Sequence, residues 1–314
     1  MVSKSSSASG FYPWQTTINM KISLTGIGLH KGDNIDITLV PTKANSGIRF
    51  IRTDLNCDII ERIVIPNYKN VSDTNMCTTI KNDYDVQIST IEHLMAAFSG
   101  TGLDNVDVEI NGSEVPIMDG SSDQFVNLIE STGLIKLPEK RKFLKITKPV
   151  EIRDGDKKCS LSPCDKMKFF ASIDFSDKVI GKQEASVNLE NFNFKNDVSK
   201  ARTFGFMQDV EALRRSGLGL GGSLENCVII DNNEVINSEG LRFDNEFVVH
   251  KLLDAVGDIF TSGFRIQGEY RGYLCGHHMN NLLLKELFDN EDSFEFIEID
   301  ETNSLENKNK LLAG

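Results

Sequence analysis

The chain has 314 residues, with 34 lysines and arginines against 46 aspartates and glutamates, and a formal net charge of −12. Its 39% hydrophobic and 25% charged residues exclude wholesale disorder, and its length allows one large domain or two ordinary ones, each with its own core. An acidic chain lacks the basic footprint of non-specific nucleic-acid binding, although a local pocket can still hold an anionic small molecule.

The opening Met1–Gly10 is small and polar, without the apolar centre of a secretory signal. No run approaches the ~18 apolar residues of a membrane span, so a cytoplasmic location is expected. The six cysteines form no Cys-x-x-Cys pair. They are expected to be mostly buried, reduced thiols, with no structural zinc cluster.

In chain order, apolar and polar residues alternate from Thr17 to Ile51, and Ile35–Val40 predicts a strand ending at Pro41. Ser89–Phe98 predicts a helix, with Ser89 or Thr90 as its N-cap and Gly100 and Gly102 as its stop. A strand is expected at Val106–Ile110 and a second helix at Ser122–Ser131, ending at Gly133. The charged, proline-containing Leu137–Lys142 is the expected domain boundary.

Strands are then expected at Phe143–Ile152 and Phe169–Phe175, a weakly patterned polar stretch at 176–198, and a helix at Gln208–Ser216. Gly217–Gly222 reads as a loop and Cys227–Ile230 as a short strand. A long helix runs from Asn245 to about Thr261 with Asp244 as its cap, Gly263 ends it, and Phe264–Tyr270 is a strand. Both halves therefore hold a helix that begins near a histidine, stops at glycine and leads into a strand. A polar tail, 301–314, closes the chain.

The long helix carries the chemistry. Val248, Val249, Leu252, Leu253, Val256 and Ile259 make it apolar, yet His250, Asp254 and Asp258 recur at i, i+4 and i+8 on one face. Buried ionisable groups are costly unless paired or holding a metal. A histidine and an aspartate one turn apart suit one zinc ion, although such a pair taken alone more often marks a buried hydrogen bond or a polar helix–helix seam. Glu92-His93 adds a ligand with a neighbouring base, the pattern of zinc hydrolases, although a capped helix also explains it. His93, His250 and Asp254 would make three ligands with one open position. His277, behind Gly276, is a candidate proton donor or a solvated loop residue.

Together these segments resemble the UDP-3-O-acyl-N-acetylglucosamine deacetylase family, zinc enzymes of the committed step of lipid A biosynthesis. The matching runs are GIGLHKG (26–32), IRTDL (51–55), STIEHLMAA (89–97), VPIMDGS (115–121), SKARTFGFM (199–207), GLGLGGS (217–223), LRFDNEFVVHKLLDAVGD (241–258) and CGHHMNN (275–281). The resemblance implies an α+β fold of two domains of similar topology, each a β-sheet with helices, and the helices of both packed between the two sheets. Residues 1–136 would form the N-terminal domain, with Glu92 and His93, and 137–300 the C-terminal domain, with His250, Asp254 and His277. Inserts around Arg52–Tyr84 and Lys178–Asn196 would distinguish the halves and shape an acyl-chain passage.

Carried over residue by residue, the resemblance implies Zn2+, with Fe2+ an option in the cell, on His93, His250 and Asp254. It implies Glu92 as general base, His277 as the acid that protonates the leaving amine, and Asp258 as the group that orients His277. Thr203 would donate to the developing oxyanion. Lys251 and, less directly, Lys142 would contact phosphate, and Phe204 would line the nucleotide side. His278 is expected to be a bystander, His30 a structural residue or remote substrate contact, and Asp119 an organiser of its turn. Gly219 replaces a cysteine that binds a second metal in some relatives. The expected partner is a UDP-linked acylated amino sugar, not a nucleic acid, and the protein is expected to be a monomer.

Overall fold

The computed structural model describes residues 12–189 and 193–299. The tail at 301–314 lies outside the described residues. The fold is α+β. In the strand Asn34–Pro41, Ile35, Ile37 and Leu39 are buried, because a period of two sends alternate side chains to one face. This strand is second in a five-stranded sheet ordered Ile22–Ile27, Asn34–Pro41, Val106–Ile110, Ile48–Arg52, Ile63–Val64. Helix α1 (Ile59–Arg62) leads into its last strand. A small sheet of Val71–Asp73, Thr79–Lys81 and Gln87–Ile88 follows, then α2 (Glu92–Thr101) and α3 (Asp123–Thr132).

The other large sheet has seven strands. At its centre Arg265–Tyr273 pairs antiparallel with Lys157–Ser162 and parallel with Lys142–Ile146 and Met167–Asp174. Helix α4 (Met207–Arg215) carries no buried residue. Helix α5 (Glu246–Phe260) precedes the central strand and α6 (His277–Asp289) follows it. The similarity of the two halves has a topological counterpart. After α2 and after α5 the chain turns at a glycine with positive φ (Gly102, 86°; Gly263, 82°) and enters an inner strand with a parallel neighbour.

Helices α2 and α5 pack against one another in the interior. Every residue of α2 is buried, and in α5 only Lys251 is not. Their close approach requires Gly257, where a Cβ would stand 2.0 Å from the carbonyl oxygen of Glu92. At the far end, two buried guanidinium groups donate to carbonyls in the last turn of α2 and at the glycine that follows it. Arg265 donates to the Ser99 and Phe98 carbonyls and Arg141 to that of Gly102, and both also bind Asp104. The expected domain boundary is therefore no open linker. Leu137–Lys142 spans the end of a strand (Leu134–Lys140) paired with Trp14–Ile18 and the start of Lys142–Ile146.

Several local expectations are corrected. Helix α2 starts at Glu92, and its N-cap, Ile91, makes no side-chain cap. The Thr90 hydroxyl donates instead to Glu114, at 3.2 Å. Asp244 does not cap α5. Asn245 holds that position without a side-chain bond, and the carboxylate of Glu246 in the first turn accepts N–H donors instead. Phe143–Ile152 is two strands, broken around Pro149, and 176–198 contains the strand Lys182–Asn188. His277, for which a solvated loop was one reading, opens the first turn of α6, where Leu283, Leu284 and Leu287 bury the helix's apolar side. Only Cys77 and Cys159 are buried; Cys57 is exposed and the other three are intermediate, although all six are free.

Candidate metal centre

Near the start of α2 and the middle of α5, three side chains converge. His93 Nε2 and His250 Nε2 lie 3.5 and 3.4 Å from the same atom, Asp254 Oδ1. All three residues are buried, with their ligand atoms within 4.8 Å of one another. His250 Nδ1 stands 3.1 Å from the Ala201 carbonyl. A carbonyl only accepts, so that ring proton belongs on Nδ1 and Nε2 keeps its lone pair. A lone pair thus faces a carboxylate oxygen that has no hydrogen-bond partner. Two buried acceptors in that position repel each other, and a cation between them removes the conflict. Ligands at 2.0–2.1 Å around a tetrahedral ion stand roughly 3.3 Å apart, close to the 3.5 and 3.4 Å from the two histidines to Asp254 Oδ1. The donor set therefore fits a divalent metal.

Electrostatics favours the ligating forms. Burial pushes His250 down to about 3, so its imidazole is neutral. Burial alone would raise Asp254, but His250 and Lys251 hold its carboxyl well below the usual range. Lys251 Nζ donates to Asp254 Oδ2 at 2.7 Å, leaving Oδ1 for the metal.

Glu92 and His277 flank the triad. Burial raises the carboxyl of Glu92, against the pull of His277 and His93. His277 Nε2 stands 3.9 Å from Glu92 Oε1, and its Nδ1 donates to Asp258 Oδ2 at 2.9 Å. Burial opposes the imidazolium, yet Asp258 and Glu92 carry its pKa up to about 9. Both shifts are upward, and they give one carboxylate suited to accept a proton and one imidazolium suited to donate.

A cavity of about 30 Å³ joins these groups, lined also by Thr203, Lys251, His30 and Met76. Phe204 forms an adjacent wall, 6.2 Å from the His250 ring and 5.6 Å from Lys251 Nζ. The ring nitrogens of His30 are buried without partners. His278 is exposed on α6, 3.4 Å from the Thr74 hydroxyl. Asp119 accepts from Ser121 within its turn and from Arg242 across it. Gly219 lies in a turn at φ 66°.

Lys142 is not brought to this site. It lines a cavity of about 320 Å³ with Met95, Asp104, Phe260 and Arg265, near the C-terminal ends of α2 and α5.

Sequence reasoning missed Thr78, Asn280 and Met76. Asn280 Nδ2 donates to Asp258 Oδ2 at 2.8 Å, while Asn280 Oδ1 accepts from the Tyr270 hydroxyl. Its signal was present, since it stands three residues after His277 and so shares its helix face. Thr78 and Met76 come from the loop before Thr79–Lys81, where no periodicity marks them. Met76 and Thr90 both line the cavity at φ near +60° (65° and 58°). For a β-branched threonine this backbone costs about 1–3 kcal/mol, strain of the kind that clusters at functional sites.

Residues 15–289 match the family described as UDP-3-O-acyl N-acetylglycosamine deacetylase. Among similar proteins, a UDP-3-O-acyl-N-acetylglucosamine deacetylase of Idiomarina loihiensis is 43% identical over 290 residues, 91% of this chain and 94% of that protein. One of Campylobacter jejuni is 43% identical over 292 residues, covering 92% and 96%. One of Colwellia psychrerythraea is 42% identical over 296 residues, covering 93% and 96%.

Proposed function

The chain belongs to the UDP-3-O-acyl N-acetylglycosamine deacetylase family, and from that premise we propose that it hydrolyses the acetamide of UDP-3-O-(3-hydroxyacyl)-N-acetylglucosamine. Acetate is released in the committed step of lipid A biosynthesis. The observation that carries this reading is the meeting, in one cavity, of three metal-suited ligands with Glu92 and His277. No described helix is long and apolar enough to cross a membrane, and a cytoplasmic setting is part of the proposal.

An amide resists water because its carbonyl is a poor electrophile and its nitrogen a poor leaving group. His93, His250 and Asp254 would hold Zn2+, which would supply Lewis acidity to the carbonyl and to water, and Fe2+ would suit the same donors. Glu92 takes the proton of the attacking water as the C–O bond forms. His277 gives its Nε2 proton to the nitrogen as the C–N bond breaks, so an amine leaves rather than an amide anion. Asp258 orients the ring through Nδ1 and stabilises its charge.

The Thr203 hydroxyl lines the cavity and makes no hydrogen bond among the described residues, so it is free to donate to the developing oxyanion. Lys251 and the cationic His277 supply local positive charge for a diphosphate on an acidic protein, and Phe204 walls that side. Lys142 lies at the other end of α2, apart from this cavity.

The test is metal analysis combined with acetate release from the UDP-linked substrate. A zinc-replete protein that releases no acetate overturns the proposal. Equal release from an acylated amino sugar without UDP would reassign the substrate.

A further inference from the structure

Thr78 is hydrogen-bonded to two of the carboxylates on which the chemistry depends. It is buried, just ahead of Thr79–Lys81. Its backbone N–H donates to Glu92 Oε2 at 3.0 Å, and its hydroxyl donates to Asp258 Oδ1 at 2.6 Å. Its carbonyl accepts from the N–H of Ile91, one residue before Glu92. Two negatively charged groups in a dry interior repel each other, and one residue with donors to both holds them in register.

The two bonds also select oxygens. With Oε2 of Glu92 occupied by an N–H, the oxygen left to accept a proton is Oε1, the one facing His277. With Oδ1 of Asp258 occupied by the hydroxyl, Oδ2 is left for His277 and Asn280. A carboxylate accepts only, so the Thr78 hydroxyl has one orientation.

We propose that Thr78 is a positioning residue that sets the spacing and oxygen assignment of base and acid across the cavity. The proposal rests on the deacetylase reading above. It predicts a loss confined to the chemical step, because Thr78 supplies no ligand to the metal.

The test uses the full chain loaded with zinc. T78V keeps shape and backbone N–H and deletes only the hydroxyl bond, and T78S restores it. Removing a supporting partner of this kind should lower kcat about 10–100-fold in T78V. KM and zinc content should stay within about twofold of wild type, and T78S should recover most of the rate. T78A carries the same comparison should T78V fail to accumulate. An unchanged kcat in T78V, T78S as impaired as T78V, or zinc loss matching the activity loss overturns the proposal.

Imidazole NMR of His277 reads the same arrangement without turnover. Its ring resonances should shift in T78V and return in T78S, and their constancy in T78V would also overturn the proposal. A wild-type protein that releases no acetate would sink the deacetylase reading, while the spectra would still judge Thr78.

Discussion

His277 donates from Nδ1 to Asp258 Oδ2 at 2.9 Å, on a carboxylate already gripped by Thr78 and Asn280. The bond holds the imidazole in one orientation, with Nε2 towards Glu92, and it favours the charged ring.

For the metal-free protein, histidine NMR titration should place His277 near 9, against an ordinary value of about 6.5. A folded pKa above the unfolded one gives stability that is complete below about 6.5 and is lost as pH rises through about 9. Asp258→Asn should return His277 towards its ordinary value and remove that dependence in urea unfolding at matched pH. Added Zn2+ should lower the value, since a nearby cation opposes the imidazolium.

Removal of a ligand and removal of a proton carrier should separate cleanly. His250→Ala should deplete the metal, measured by elemental analysis, and abolish turnover with it. Glu92→Gln and His277→Ala should keep the metal and lower kcat about 10²–10⁴-fold, the usual worth of a positioned acid or base. Near-normal turnover in His277→Ala would remove it as the acid.

Gly257→Ala should separate α2 from α5, because its Cβ would meet the Glu92 backbone at 2.0 Å. Overpacking of this kind costs about 1–3 kcal/mol. Thermal unfolding should show that loss, together with a drop in kcat as Glu92 moves.

Glu246 binds Arg202 through Nε at 2.9 Å and Nη2 at 3.1 Å, and it accepts the Arg202 and Arg242 N–H groups. Glu246→Ala leaves Arg202 with much of its compensation gone, a loss worth about 3–5 kcal/mol for a buried pair. Ala201, next to Arg202, holds His250 Nδ1, so metal affinity should fall as well. Chemical denaturation and metal titration would measure the two effects.

Much of the site could be read before the fold was known. Helical spacing put His250, Asp254 and Asp258 on one face and adjacency paired Glu92 with His93, but each pattern left a structural alternative open, and the roles came from the family resemblance. His277 follows Gly276 in the family's motif, but its place in the first turn of α6 depends on Leu283, Leu284 and Leu287, which lie beyond that motif. A short polar side chain before a helix suits a cap, but Thr90 is bound to Glu114, 24 residues away, a partner that no local pattern names.

What the sequence determined by itself is local. A rise of 1.5 Å per residue and 3.6 residues per turn put His250 and Asp254 on one face of a buried helix whatever surrounds it. Tertiary structure alone decided the convergence of His93, His277 and Thr78 on that face, since no periodicity links residues some 20 to 200 positions apart. It also set Lys142 apart from that face. Its charge suits phosphate, but α2 spans roughly 15 Å at that rise, and Lys142 lines a cavity near the other end. Side-chain chemistry names the candidates, and packing selects among them, because hydrogen bonds and metal bonds act over about 2–3 Å.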